Sequence, residues 1–228
     1  MTTSLPDAVL WDLDGTLVDT EPHWIAAEHA LVEEFGGSWT DDDSRALVGS
    51  SMPHAAAVLR SHGVALDAPS VVERLVDAVL ASLGTGVTWQ PGARELLAAV
   101  RDSGIPSALV TMSPRRLLDT VVASAPPGSF TVTVAGDEVE RGKPDPLPYL
   151  RGAELLGVDP RRCVAFEDSP TGLASAEASG ATTVAIVHLV PIAAAPRRSR
   201  VRNLDGFGLE DLAAVASGEV LDRVETIP

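Results

Sequence analysis

The chain has 228 residues, 45% of them hydrophobic, and a formal net charge of −15. That length suits one core domain carrying a smaller insert, and the apolar content is enough to bury a real core. The charge excludes a broad nucleic-acid surface, since phosphate backbones are gripped by basic faces, and no apolar run reaches the roughly 20 residues of a membrane span. A small anionic substrate stays compatible, because a local cation or a bound metal can invert the field inside one cleft. The single cysteine, Cys163, permits no intramolecular disulfide, and Met1-Thr2-Thr3-Ser4-Leu5-Pro6-Asp7 has neither the basic nor the apolar stretch of a secretion signal. A cytoplasmic protein is therefore expected, with a monomer as the default and neither nucleic acid nor membrane as a partner.

In chain order, short runs rich in Val, Ile and Ala predict strands at Ala8 to Leu13, Ser107 to Met112, Phe130 to Ala135, Arg162 to Phe166 and Thr182 to Val187. Their hydrophobicity is continuous rather than alternating, as in strands covered on both faces. Helical patterns lie between them at Ala93 to Ser103, Arg115 to Ser124, Pro146 to Leu156 and Thr171 to Ser179, several stopped by a glycine such as Gly104, Gly157 or Gly180. This alternation predicts an α/β fold with a doubly wound parallel sheet. From about Thr20 to Gly86 only helical patterns occur, for example Trp24 to Phe35 and Val71 to Leu83, so a helical cap inserted after the first strand is expected. The expected organisation is a catalytic core over 1–19 and 87–228 with a cap over 20–86. The basic run Arg197-Arg198-Ser199-Arg200-Val201-Arg202 reads as a solvated loop.

In open α/β sheets ligands bind beyond the carboxyl ends of the strands, so chemistry belongs just after each one. The first strand runs into "LWDLDGTLVDTEP", where Asp12 and Asp14 are two residues apart and Gly15 lets the chain turn. The second ends in "LVTMSP": the Thr111 and Ser113 hydroxyls and the backbone N–H groups around Met112 suit an anion near a helix start. Ser113 before a proline is also an ordinary N-cap. The fourth ends in "FEDS", with Glu167 and Asp168 adjacent. Adjacent buried acids repel, and a hard divalent cation relieves the repulsion; Mg²⁺ fits because it takes few protein oxygens and keeps phosphate and water oxygens as its other ligands. Finally, "ERGKPDP" holds Lys143, the single lysine beside sixteen arginines.

Taken together, "DLDGT", the threonine after the second strand, "GKPDP" and "FEDS" resemble, in order and spacing, the four signature motifs of the haloacid dehalogenase (HAD) superfamily. The helical insert resembles the cap of its subfamily I, which includes beta-phosphoglucomutase and many small-molecule phosphatases. The resemblance implies that Asp12 is the nucleophile that becomes an aspartyl phosphate and Asp14 the general acid and base. It implies that Asp12, the Asp14 backbone carbonyl and Asp168 hold Mg²⁺, with Glu167 either a further ligand or one step behind. Thr111 would bond a phosphoryl oxygen, and Lys143 would neutralise another while restraining Asp12. An ammonium serves several oxygens at once, where a planar arginine fork makes a different pattern.

Several branches are separable on residues. Dehalogenases lack an acid at the second position of the first motif, and Asp14 is present; phosphonatases need a cap lysine, and the only lysine lies in the core; P-type ATPases need membrane spans. In the mutases a cap arginine follows a Leu-x-Gly motif. Here "LVGSSMPH" keeps Leu47 and Gly49 but has Met52 near the arginine position, with Arg45 and Arg60 as the cap cations that could take its place. A phosphatase of a small phosphorylated metabolite (sugar, polyol or nucleoside monophosphate) is the expectation. The alternatives are a sugar-phosphate mutase and a catalytically idle HAD-like binding domain. Glu21, His23 and Trp24 in "DTEPHW" are pocket candidates that also read as a plain helix start, while Cys163 reads as core.

Overall fold

The first strand, β1 (Ala8–Trp11), is fully buried and central. Parallel to it on one side run β2 (Ser107–Val110) and β3 (Val132–Val134); on the other run β4 (Cys163–Glu167), β5 (Thr182–Ile186) and β6 (Arg198–Val201). The order β3-β2-β1-β4-β5-β6 reverses direction at β1, which creates the switch-point crevice where open α/β sheets bind ligands. This computed structural model describes residues 4–84 and 86–224. Met1–Thr3 of the opening segment, Thr85 of the expected cap and the last four residues lie outside the described residues.

The continuous apolar runs are explained by what covers each face. Val9 and Trp11 point into a cluster with α5 (Ala93–Asp102), α6 (Arg115–Ser124) and α9 (Leu209–Ala216). Ala8 and Leu10, one pleat out of phase, meet Tyr149 of α7 (Leu147–Leu156) and Ala176 of α8 (Pro170–Ser179) on the opposite face. Trp11 stacks on Phe166 at 4.5 Å between ring centroids, which packs the two strands that carry the acids. The predicted strands are each trimmed at the carboxyl end by one or two residues except β4, which gains Glu167.

Between β1 and α5 the chain is helical: α1 (Glu21–Glu34), α2 (Asp41–Leu47), α3 (Met52–Ser61) and α4 (Ala68–Leu83). These helices share a hydrophobic cluster of their own, joined from the sheet layer by Leu117 of α6. A capping box of Thr40 with Asp43 starts α2, and the Asp67 carboxylate accepts the Ser70 N–H to start α4.

One expectation is corrected. The basic run is no solvated loop: Arg198–Val201 forms the edge strand β6, with Ser199 and Val201 buried and the Arg198 and Arg200 side chains half-buried on the opposite face. Arg198 pairs with Glu177 and Arg200 with Asp222, so two of these cations are neutralised locally.

Candidate active site

Asp12 follows directly on β1, and its N–H donates to the Phe166 carbonyl at 3.0 Å, so the β1–β4 register sets it beside Glu167 and Asp168. One carboxylate oxygen from each of Asp12, Glu167 and Asp168 lies within 4.8 Å of the others, and all three residues are buried. The Lys143 ammonium sits among them. It donates to Asp12 Oδ1 at 2.6 Å, to Glu167 Oε1 at 2.6 Å and to the Val110 carbonyl at 3.0 Å, which uses all three of its protons. Burial works to lower its pKa, but the Asp12 and Glu167 charges outweigh burial and hold the ammonium above the ordinary lysine range.

Two of the carboxylates face opposite demands. Both Glu167 oxygens are engaged: Oε1 by Lys143 and by the Tyr149 hydroxyl at 2.7 Å, Oε2 by the Asp168 N–H at 3.2 Å and the Ser169 hydroxyl at 3.3 Å. Glu167 is fully buried and lies behind the cleft, whereas Asp12 and Asp168 line it. Burial, then repulsion from Glu167, pushes the Asp12 carboxyl up to about 7 against the pull of Lys143. Burial followed by the charges of Asp12 and Glu21 drives Asp168 well above the carboxylate range. Three converging buried acids with one cation leave a surplus of negative charge, and such an all-oxygen donor set suits a hard divalent ion.

Asp14 points the other way. Its Oδ1 accepts from Thr20 Oγ1 at 2.5 Å and from Trp24 Nε1 at 3.3 Å, its Oδ2 from Ser113 Oγ at 2.7 Å and Thr111 Oγ1 at 3.1 Å. Helix α1 and the β2–α6 turn therefore hold one carboxylate between them. Gly15 makes this divergence of Asp12 and Asp14 feasible. Its φ is +78°, and a Cβ there would stand 1.9 Å from Asp168 Oδ2, so only glycine allows the turn and the close approach together.

The cleft is closed on its far side by the helical insert. Glu21, Trp24 and Gly49 line it, as do Thr111, Met112 and Ser113 from the sheet side. The Gly49 turn lies against Ser169, where a Cβ would meet Ser169 Oγ at 2.3 Å. Met112 is buried, and its sulfur accepts the Lys143 N–H at 3.0 Å. His23 is not brought to this cleft: it faces α4, with its Nδ1 2.7 Å from Ser82 Oγ. Arg45 pairs with Asp42 on the surface and Arg60 is exposed, so neither lines the cleft. Tyr149, the chain's one tyrosine, and Glu28, which lines the cleft from α1, are site residues that motif reading missed. The rarity of tyrosine was the available signal for Tyr149; Glu28 carried none, because α1 also holds Glu21, His23, His29, Glu33 and Glu34.

This geometry, a parallel sheet with acids gathered at the β1 and β4 ends around one lysine, is that of a phosphotransferase-type hydrolase site, and the chain belongs to the haloacid dehalogenase-like hydrolase family, which matches residues 6–180. Among its relatives, the phosphorylated carbohydrates phosphatase of Thermotoga maritima is 33% identical over 188 residues, covering 80% of this chain and 86% of that one. Hexitol phosphatase A of Escherichia coli is 32% identical over 192 residues, covering 78% and 81%. The crystal structure of CbbY from Rhodobacter sphaeroides with phosphate superposes with a TM-score of 0.80 at 25% identity, covering 91% of this chain and 99% of that one.

Proposed function

We propose that the protein is a Mg²⁺-dependent phosphatase of small phosphorylated metabolites, acting through an aspartyl phosphate on Asp12. The observation that carries this reading is the Lys143 ammonium held between Asp12 and Glu167 within a buried acidic cluster. The phosphatase relatives support the substrate class, a sugar or polyol phosphate monoester. The division into a core over 1–19 and 87–228 and a cap over 20–86 belongs to the same proposal, with the separate hydrophobic cluster of the insert in its support.

In this reading Asp12 and Asp168 offer side-chain oxygens to the metal, the Asp14 carbonyl a third, and Glu167 holds Lys143 from behind. When bound, the divalent ion neutralises phosphoryl oxygens and so lowers the barrier to attack by an anion. The free Asp12 oxygen attacks phosphorus in line while the ester bond to the alcohol breaks, and Asp14 gives the departing oxygen its proton. Asp14, now a carboxylate, takes a proton from water, whose oxygen attacks the same phosphorus and releases inorganic phosphate and free Asp12. Lys143 supplies a buried positive charge beside the phosphoryl group, and the Thr111 and Ser113 hydroxyls supply donors to the equatorial oxygens. For Thr111 and Ser113 this means leaving Asp14 for the phosphoryl group, which frees Asp14 to turn toward the leaving oxygen.

Hydrolysis is favoured over mutase chemistry by the cleft's charge. Asp12, Asp14, Glu21, Glu28 and Asp168 line it with Lys143 as the single cation among the described lining residues, so nothing basic is placed to anchor a second phosphate. Incubation of a hexose 1-phosphate or a polyol phosphate with the enzyme and Mg²⁺ is expected to release inorganic phosphate and the free alcohol in equal amounts. Conversion of the hexose 1-phosphate to its 6-phosphate isomer without phosphate release would overturn the choice.

A further inference from the structure

Glu28 has no role in the chemistry above, yet it is only 5% exposed and lines the cleft from the helical insert. It shares the inward face of α1 with Glu21 and Trp24, at helical spacings of seven and four residues. Its neighbours in the buried stripe, Ala27, Leu31 and Val32, belong to the apolar cluster, so packing alone calls for an aliphatic residue here. Burial pushes its carboxyl up to about 7, against hydrogen bonding from Ser44 and Trp39. Trp39 Nε1 in turn donates to Ser44 Oγ at 2.7 Å, so the polar groups beside the carboxyl are themselves tied together. The other oxygen, Oε2, is buried and has no hydrogen-bond partner in the protein. Leaving such an acceptor unpaired is costly, and a positioned, unpaired acceptor on a cleft wall is what a ligand donor completes.

We propose that Glu28 is a specificity-determining residue that accepts a hydrogen bond from a substrate hydroxyl remote from the phosphate, selecting polyol-type phosphate monoesters over alkyl phosphates of equal length. The inference rests on the phosphatase reading. The acids of the cleft repel a second phosphate, so the group that meets Glu28 is a hydrogen-bond donor such as a hydroxyl, while Lys143, from the sheet side, serves the phosphate. A site with a buried acceptor discriminates strongly against an analogue lacking the donor, since the acceptor is then left unpaired.

The test compares kcat/KM for sorbitol 6-phosphate and for hexyl phosphate, which has the same carbon count and no hydroxyl. In wild type the ratio favours the polyol ester. In Glu28→Leu it is expected to fall by roughly 10- to 100-fold, the range for one hydrogen bond to a charged group. Glu28→Gln keeps an acceptor of the same shape, and a smaller fall of roughly 3- to 10-fold is expected. The loss should sit mainly in KM for the polyol ester. Thermal melting of Glu28→Leu is expected at or above wild type, because an unpaired buried oxygen is removed; should that variant not fold, Glu28→Gln carries the comparison. A ratio unchanged in both variants overturns the assignment of Glu28 alone. Wild type that hydrolyses neither ester overturns the phosphatase reading and this inference with it.

Discussion

Asp12→Asn is expected to lower Mg²⁺-dependent hydrolysis of an aryl phosphate by on the order of 10⁴-fold while leaving the fold intact. Asparagine preserves the shape of the side chain but cannot form the acyl phosphate. The change also relieves the repulsion between Asp12 and Glu167, and leaves Lys143 with Glu167, to which it donates at 2.6 Å, as its one charged partner. The variant is therefore expected to bind inorganic phosphate at least as well as wild type in a calorimetric titration, since one negative charge has left the cleft. Retention of activity within about tenfold of wild type would contradict the assignment of Asp12 as nucleophile.

Lys143→Met carries the largest expected effect on stability. Lys143 and its two carboxylate partners are almost wholly buried, with side-chain exposures of 2% for the lysine, 9% for Asp12 and 1% for Glu167. Removing one member of such a network leaves the others uncompensated, at a cost of about 3–5 kcal/mol, or a fall in melting temperature of about 10 °C for a chain of this size. The pH dependence follows from the same charges. The Asp12 carboxyl is raised from its ordinary value to about 7 and Glu28 likewise, so the folded protein holds protons that the unfolded chain has released. Stability of the metal-free protein is thus full below about pH 4 as far as these groups are concerned and is lost as pH rises through about 7. In Lys143→Met the loss steepens, because the charge that pulled Asp12 downward is gone. Added Mg²⁺ is expected to restore part of the high-pH stability in both proteins. Melting curves with a chelator and with Mg²⁺ at pH 5.5 and 8.5 check this; a metal-free protein more stable at the higher pH would contradict it.

The parts of this molecule that were legible in the sequence are those where one residue type has one physical use. Asp12 and the Glu167-Asp168 pair sit at the ends of fully buried strands, where charged groups have no packing role, Lys143 is the chain's one lysine, and the structure gathers them. The sheet was legible because β1, β2, β4 and β5 are buried on both faces. Strand β6 was not, because in Arg198-Ser199-Arg200-Val201 the period-2 alternation was masked by the charge of two arginines that the fold half-buries and pairs with Glu177 and Asp222. His23 and Trp24 show the limit for the cap. Adjacent positions on a helix point about 100° apart, so Trp24 reaches Asp14 while His23 turns to Ser82, and which one faces the cleft depends on how α1 docks. Glu28 was illegible for the same reason, since its burial comes from contacts with α2 and the Trp39 loop rather than from its own neighbours in sequence.

The covalent step on Asp12 is tested most directly by the stereochemical course at phosphorus. A phosphate monoester made chiral with oxygen isotopes and sulfur is hydrolysed by the enzyme in isotopically labelled water, and the configuration of the released thiophosphate is read. Two in-line displacements, first by Asp12 and then by water, predict net retention of configuration. Net inversion would mean a single direct attack by water and would contradict the account.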